Sequence, residues 1–112
     1  MRAIPRNLLI HSAKAYSEQA DNTWNDKSRK LVAELDRVRI DQSVSSLRLT
    51  RNNEQVQLSA VLFFDCRNSA PKDFDFSKTD IITACGSEYR VICVEKLYDE
   101  RGLHHYEVGL CL

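Results

Sequence analysis

The stretch from Val56 to Asp65 constrains the fold more than any other part of the sequence. Val56, Leu58 and Ala60 fall on one side of an extended chain, because successive side chains of a strand point to opposite faces. From Val61 onwards the other side becomes apolar as well. We therefore predict a strand that is solvated where it begins and covered on both faces where it ends.

Length and charge indicate a small domain without a strong attraction for polyanions. The chain has 112 residues, and we expect residues 1–112 to form one domain. Its 16 basic residues balance 16 acidic ones, so little sequence-independent binding to DNA or anionic membranes is expected. Neither a leader peptide nor a run of about 18 apolar residues is visible. These features predict synthesis in a cytoplasm and no membrane association.

The four cysteines are Cys66, Cys85, Cys93 and Cys111. None are spaced as Cys-x-x-Cys, so the usual zinc signature is absent. Two disulfides are an alternative, but nothing else in the sequence indicates secretion, and cysteine is a good small buried residue. We predict free thiols.

Two segments before the central strand are strand candidates. Leu8 to Tyr16 predicts a strand with Leu8, Ile10 and Tyr16 on one face. Leu31 to Asp41 fits either a helix stripe or a strand. The strand interpretation requires a shift of phase at Asp36-Arg37, which a β-bulge would produce.

Turn residues in the second half predict two hairpins. Gly86-Ser87 suits a two-residue type II′ turn with Cys85 opposite Glu88. A second turn is expected at Asp99–Gly102. The buried faces expected from alternation comprise Ile82, Ala84, Tyr89, Val91 and Cys93 in the first hairpin, and Tyr106, Val108, Leu110 and Leu112 in the second.

The fold class follows from these strands and from the long connections between them. Phe74 and Phe76 are expected to pack the connection 66–79 against one end of the fold. We predict a mainly β protein, a small antiparallel β-barrel or sandwich of about five to seven strands with long loops and at most one short helix.

The sequence shows no catalytic or metal-binding constellation. His104 and His105 are adjacent, and neighbouring side chains on a strand point to opposite faces, so the two rings cannot ligate one metal without distortion. We expect one buried, hydrogen-bonded ring and one exposed ring. Cys111 lies on the same strand as His105, roughly 20 Å away, which is too far for a nucleophile and its base.

The polar connection from Gln42 to Gln55 is the first candidate for a partner contact. It carries Arg48, Arg51, Asn52 and Asn53. Long loops in compact domains are often functional.

Trp24 is a second candidate, within the polar segment Ser17–Arg29. It is either a lid residue folded over the edge of the core or an exposed aromatic anchor for a partner.

Segments spread over nearly the whole chain carry a family resemblance. They are Ile4–His11, Val38–Ile40, Asn53–Leu58, Leu62–Cys66, Asn68–Ser69, Leu97–Asp99 and Leu103–Leu110. With them the chain resembles the minor capsid protein family of tailed phages and prophages of Gram-positive bacteria. These motifs are specific to the family and indicate kinship rather than a chemical mechanism.

The resemblance implies a virion structural protein at the head–tail junction, similar to head-closure proteins. Those are small β-barrels that stack as a ring on the portal and adaptor and hold packaged DNA until a tail docks. Portal, adaptor and tail proteins would be the partners, with DNA passing nearby without sequence-specific binding. The resemblance implies no catalytic residue, cofactor, metal or small-molecule substrate, and it favours a strand for Leu31–Ile40. A small nucleic-acid-binding β-barrel is the alternative.

Overall fold

A computed structural model describes residues 2–20, 27–42, 47–49 and 55–112. In this part of the chain the regular elements are strands and two short 3₁₀ turns, at Arg6–Leu8 and Phe76–Lys78. The strands are β1 (His11–Ala20), β2 (Lys27–Asp41), β3 (Leu47–Leu49), β4 (Gln55–Gln57), β5 (Ala60–Asp65), β6 (Ile81–Ala84), β7 (Ser87–Asp99) and β8 (Gly102–Cys111).

Six strands close into an antiparallel barrel in the order β1-β2-β5-β8-β7-β6, and β3 pairs with β4 in a separate two-stranded sheet. The predicted mainly β, antiparallel fold is confirmed. Within the described residues, no helix is long and apolar enough to cross a membrane.

Strand β5 lies at the centre of the core, as its sequence predicts, but the predicted strand Val56–Asp65 is not continuous. Its first residues belong to β4 in the separate sheet, and Leu58 and Ser59 lie between β4 and β5. Leu62 and Phe64 point into the barrel, where Leu62 is 0% exposed. Val61 faces outward and is nevertheless buried. It lies opposite Gly109 of β8. The methyl groups of Leu58 pack against Gly109 on this outer face. The strand is thus covered on both faces.

Strand β2 contains the whole segment that fits either a helix or a strand. It pairs with β1. The register shifts by one residue between the pair Val38–His11 and the pair Leu35–Ala13. Arg37 has a φ of 55° there, in the left-handed region that a bulge can require. Of the two alternatives, the structure therefore has the strand with a bulge at this point, which the family resemblance favours.

Strand β1 begins later than predicted, and its buried face is different. Leu8 and Ile10 are exposed, while Ala13 and Ala15 point into the core. The cause is local, because Leu8 ends a 3₁₀ turn and the alternation of an extended chain starts only at β1. The prediction that Leu8, Ile10 and Tyr16 share one face of a strand is wrong, because Leu8 and Ile10 precede β1.

The turn between β6 and β7 is Cys85-Gly86 rather than Gly86-Ser87. Both residues have positive φ, 53° and 75°, as a type I′ turn requires. Ala84 therefore pairs with Ser87. The register differs by two residues from the predicted one, so Ile82, Ala84 and Tyr89 keep the predicted inward face.

The faces of β7 and β8 depart from the prediction at two residues. The register of β7 shifts between Val91 and Cys93, which places Cys93 opposite the outward-facing Gly109. Cys93 thus lies on the outer face instead of the predicted inner one. Leu112 follows the end of β8 and is 76% exposed, whereas Tyr106, Val108 and Leu110 are buried as predicted.

The connection after β5 closes one end of the barrel with aromatic rings. Phe76 is buried, and its ring meets those of Phe64 and Tyr106 edge-on, with centroids 5.5 and 5.1 Å apart. Phe74 packs on Phe76 at 4.8 Å. The predicted packing of these two phenylalanines is confirmed. It holds the connection 66–79 against the end of the barrel.

Candidate interaction surface

The carboxylate of Asp65 organises one end of the barrel. It is completely buried at the end of β5. Its Oδ1 accepts hydrogen bonds from the backbone N–H groups of Arg67 (2.8 Å) and Asn68 (3.0 Å), and its Oδ2 accepts one from Ile4 (2.7 Å). A buried carboxylate needs hydrogen-bond donors around it. Because its donors come from two places, Asp65 joins the turn after β5 to the segment that precedes β1.

The N-terminal segment, residues 2–10, is fastened at three further points. The side-chain amide of Asn68 donates to the carbonyl oxygen of Ile4 at 2.7 Å. Arg39 Nη1 donates to the carbonyl oxygen of Leu8 at 3.2 Å. The Nε2 of His104 lies 2.6 Å from the carbonyl oxygen of Arg2, to which it can only donate. The segment is therefore held by backbone contacts along its length.

The ring of His104 continues into a short polar chain on β8. Its Nδ1 lies 2.8 Å from Nδ1 of His105, and Nε2 of His105 lies 3.0 Å from Oε2 of Glu107. His104 is buried and His105 is half-buried, so the expected buried and hydrogen-bonded ring is present, whereas the expected exposed ring is not. The reason is that the N-terminal segment covers this end of β8.

Ser69 completes the connection to the bulge in β2. Its Oγ accepts the backbone N–H of Asp65 at 2.9 Å and donates to the carbonyl oxygen of Arg37. The backbone groups of Asp36 and Ala70 bond to each other beside it, at 2.9 and 3.0 Å. The turn after β5 is thereby tied to β2.

A groove of about 670 Å³ runs between the N-terminal segment and the outer face of the barrel. Phe63 of β5 lines it together with Ile4, Pro5 and Leu8. The charged residues that line it are Arg2, Arg39 and Asp41. The groove therefore combines an apolar lining with two cationic groups and one anionic group.

The predicted partner-binding residues lie almost entirely outside the described structure. Arg48 lies in β3, where it pairs with Val56 of β4, and its side chain is outside the described part. Arg51, Asn52 and Asn53 lie outside the described residues, as does Trp24. Their role as contacts remains a prediction.

The cysteines form no disulfide, as predicted. All four are free thiols in the structure. Burial, followed by the charges of Asp65 and Asp73, raises the pKa of the Cys66 thiol, which disfavours the nucleophilic thiolate. Within the described part of the chain, no group of three or more His, Cys, Asp or Glu residues could hold a metal ion.

Comparison with known proteins gives a family and no close relative. A family model described as "Minor capsid protein" matches residues 5–110. The chain belongs to the minor capsid protein family. No curated protein and no solved structure matches this minor capsid protein. The family assignment makes it a structural component of the virion.

Sequence reasoning missed the main residues of this region, although some signals were present. Asp65, Asn68 and Ser69 lie within segments that carry the family resemblance of this minor capsid protein, yet nothing in their local pattern shows that they hold the N-terminal segment. Asp65 and Ile4 are 61 positions apart, and His104 and Arg2 are 102 apart. Only the barrel closure brings these pairs together.

Proposed function

We propose that this minor capsid protein acts at the head–tail junction as a head-closure protein, with residues 1–112 forming one head-closure-like domain. In this role it forms a ring on the portal and adaptor, helps to retain packaged DNA and docks the tail. The match of the minor capsid family to residues 5–110 carries the proposal. The closed barrel supports it, because a rigid body suits a stacked ring.

The β1–β2 hairpin supplies an element that could reach a neighbouring subunit. Strand β6 pairs with β1 only at Lys14–Tyr16, and β5 pairs with β2 only at Arg39–Asp41. The outer part of the hairpin, Ser17–Ala20 with Lys27–Lys30, lies beyond both ladders. A repeated head-to-tail contact closes into a ring when its rotation closes.

Weak contacts are sufficient for such a ring. Attachment of many copies to a preformed portal supplies avidity, so the isolated protein is expected to be a monomer or a weak oligomer. Its balanced charge supports passage of DNA without tight binding. The protein is made in the host cytoplasm and functions in the virion, without catalytic activity of its own.

The connection between β2 and β4 is the proposed docking or channel-facing element. Arg48, Arg51, Asn52 and Asn53 are its proposed contact residues, and Trp24 is a further one. Contacts through this connection would leave the barrel core undisturbed, because β3 and β4 form a sheet separate from the barrel.

The test replaces Arg48 and Arg51 with alanine in the phage. The matched control replaces the exposed Lys72 and Arg101. Neither pair should change the free energy of unfolding by more than about 0.5 kcal/mol per residue. The loop variant alone should give DNA-filled heads that lose DNA or fail to join tails, as counted by electron microscopy.

Different outcomes refute different parts of the proposal. Normal infectious particles from the loop variant would exclude the loop as the docking element. Absence of the protein from purified virions would exclude the head–tail role itself. A salt-dependent shift of DNA in gels by the purified protein would favour the nucleic-acid-binding alternative.

A further inference from the structure

We propose that the groove beside the N-terminal segment binds an extended segment of a neighbouring virion protein that carries an apolar side chain and a carboxylate. That the neighbour is a virion protein rests on the proposed function, whereas the chemistry of the groove does not. Nothing in the resemblance or in the family match assigns this surface.

The groove presents apolar surface that the barrel itself does not cover. Leu8 is 44% exposed and lies beside Ile4, Pro5 and the half-buried Phe63. Pro5 is exposed as well. Contiguous exposed apolar residues commonly mark a binding site rather than an ordinary surface. An apolar side chain of the partner would therefore find a lining of matching chemistry.

The charges along the groove favour a carboxylate as the polar part of the ligand. Arg2 and Arg39 line it, whereas Asp41 is the one acidic residue among its described lining, and Asp41 already has an interaction of its own. Neither arginine has a carboxylate within ion-pair distance among the described residues. A guanidinium presents several donors and binds carboxylates in fixed geometry, so an acidic partner residue is complementary.

The walls of the groove are set before binding. Arg39 is oriented by its hydrogen bond to the carbonyl oxygen of Leu8. The wall that carries Leu8 is itself held through Ile4 by Asp65 and Asn68. A preorganised surface loses less conformational entropy on binding, which favours a short, extended ligand.

The spacing of the ligand follows from strand geometry. Alternate residues of an extended chain point to the same face, about 6.6 Å apart. A leucine with aspartates two positions before and after it would place its apolar group on Leu8 and Phe63 while a carboxylate reaches Arg39. DNA fits less well, because its phosphates would face the apolar lining and only two arginines.

The test is a titration of the isotope-labelled full chain, followed by amide chemical shifts. The probe is the acetylated and amidated peptide Asp-Ser-Leu-Ser-Asp. The comparison ligands are the same peptide with both aspartates replaced by lysine, and a ten-nucleotide oligothymidylate. We expect saturable shifts at Leu8, Arg39 and Phe63 with the acidic peptide and none there with the other two.

Two variants test the assignment of the side chains. R39Q should weaken binding of the acidic peptide at least tenfold. L8S should also weaken binding of the acidic peptide at least tenfold, and it removes no side-chain hydrogen bond. It therefore tests the groove even if R39Q disturbs the N-terminal segment. The matched control is K72Q, at an exposed lysine outside the groove, and it should bind as the natural protein does.

Each alternative outcome would overturn the proposal. Three of these outcomes are an absence of saturable shifts, equal binding of the lysine peptide, and binding of oligothymidylate at the same residues. The fourth is a shift at these residues that depends on protein concentration without any peptide, which would indicate that a second copy of the chain binds there. The titration uses the isolated protein, so its failure is separate from failure of the head–tail role, which would show as absence of the protein from virions.

Discussion

Replacing Asp65 with asparagine should lower stability much more than its small change in shape suggests. An asparagine can keep an oxygen toward the N–H groups of Arg67 and Asn68, but its amide group then faces the N–H of Ile4, which now bonds to Oδ2 at 2.7 Å. One hydrogen bond to a charged acceptor is lost, and two donors meet at a site that is 0% exposed.

The size of the effect follows from these contacts. A hydrogen bond to a charged group contributes about 1.5–3 kcal/mol. Unfolding entropy of about 2.1 cal/mol/K per residue gives, for 112 residues, a Tm shift of about 4 °C per kcal/mol. We therefore expect D65N to melt about 6–13 °C below the natural protein.

The assay combines thermal melts with hydrogen exchange. D73N is the matched control, because Asp73 is exposed and has a φ of 60°, which asparagine tolerates. D73N should melt close to the natural protein, and only D65N should speed exchange of the Ile4 amide. A D65N melt within about 2 °C of the natural protein, equal to roughly half a kcal/mol, together with unchanged Ile4 exchange, would refute the role given to Asp65.

Three further predictions concern the core and the thiols. L62A should lower the free energy of unfolding by about 2–5 kcal/mol in urea melts, since Leu62 is 0% exposed in the barrel; a loss below about 0.5 kcal/mol would remove it from the core. G109A should lower the same free energy by about 1–3 kcal/mol, because its Cβ would lie 2.6 Å from the Sγ of Cys93. Adding C93A should recover part of that loss. An unchanged free energy of unfolding in G109A would contradict the close packing at Gly109. Iodoacetamide should modify the exposed Cys85 well before Cys66, whose thiol pKa is raised by burial, as peptide mass mapping would measure; equal rates would contradict this.

The strands were predictable from sequence where the chain is extended over several residues. Alternation placed Leu62 and Phe64 on one face correctly, and the phase shift at Asp36-Arg37 coincides with the bulge that the strand interpretation requires, although the pattern alone left a helix open. The same rule failed at Leu8 and Ile10, because a 3₁₀ turn precedes β1 and alternation holds only along an extended backbone.

Turn chemistry and the interaction surface were less predictable. Glycine favours both type I′ and type II′ turns, and only the left-handed backbone of Cys85 selects the first. The contacts of Asp65 with Ile4 and of His104 with Arg2 join distant parts of the chain, so no local pattern shows them. Arg51, Asn52 and Asn53 are predicted contacts because their connection is long and polar, and Trp24 because it is aromatic in a polar segment; all four lie outside the described residues.

The order of strands around the barrel has a consequence for synthesis. Strand β8 comes last in sequence but lies between β5 and β7. Roughly 37 residues separate Asp65 from Gly102, so at about 5–20 residues per second the ribosome needs roughly 2–7 seconds to reach β8 after finishing β5. Once β5 has left the ribosome and until β8 pairs with it, the most apolar strand has an unpaired edge, which can associate with another chain. We expect host chaperones that act on chains still attached to the ribosome to govern how much of this protein reaches the assembling virion.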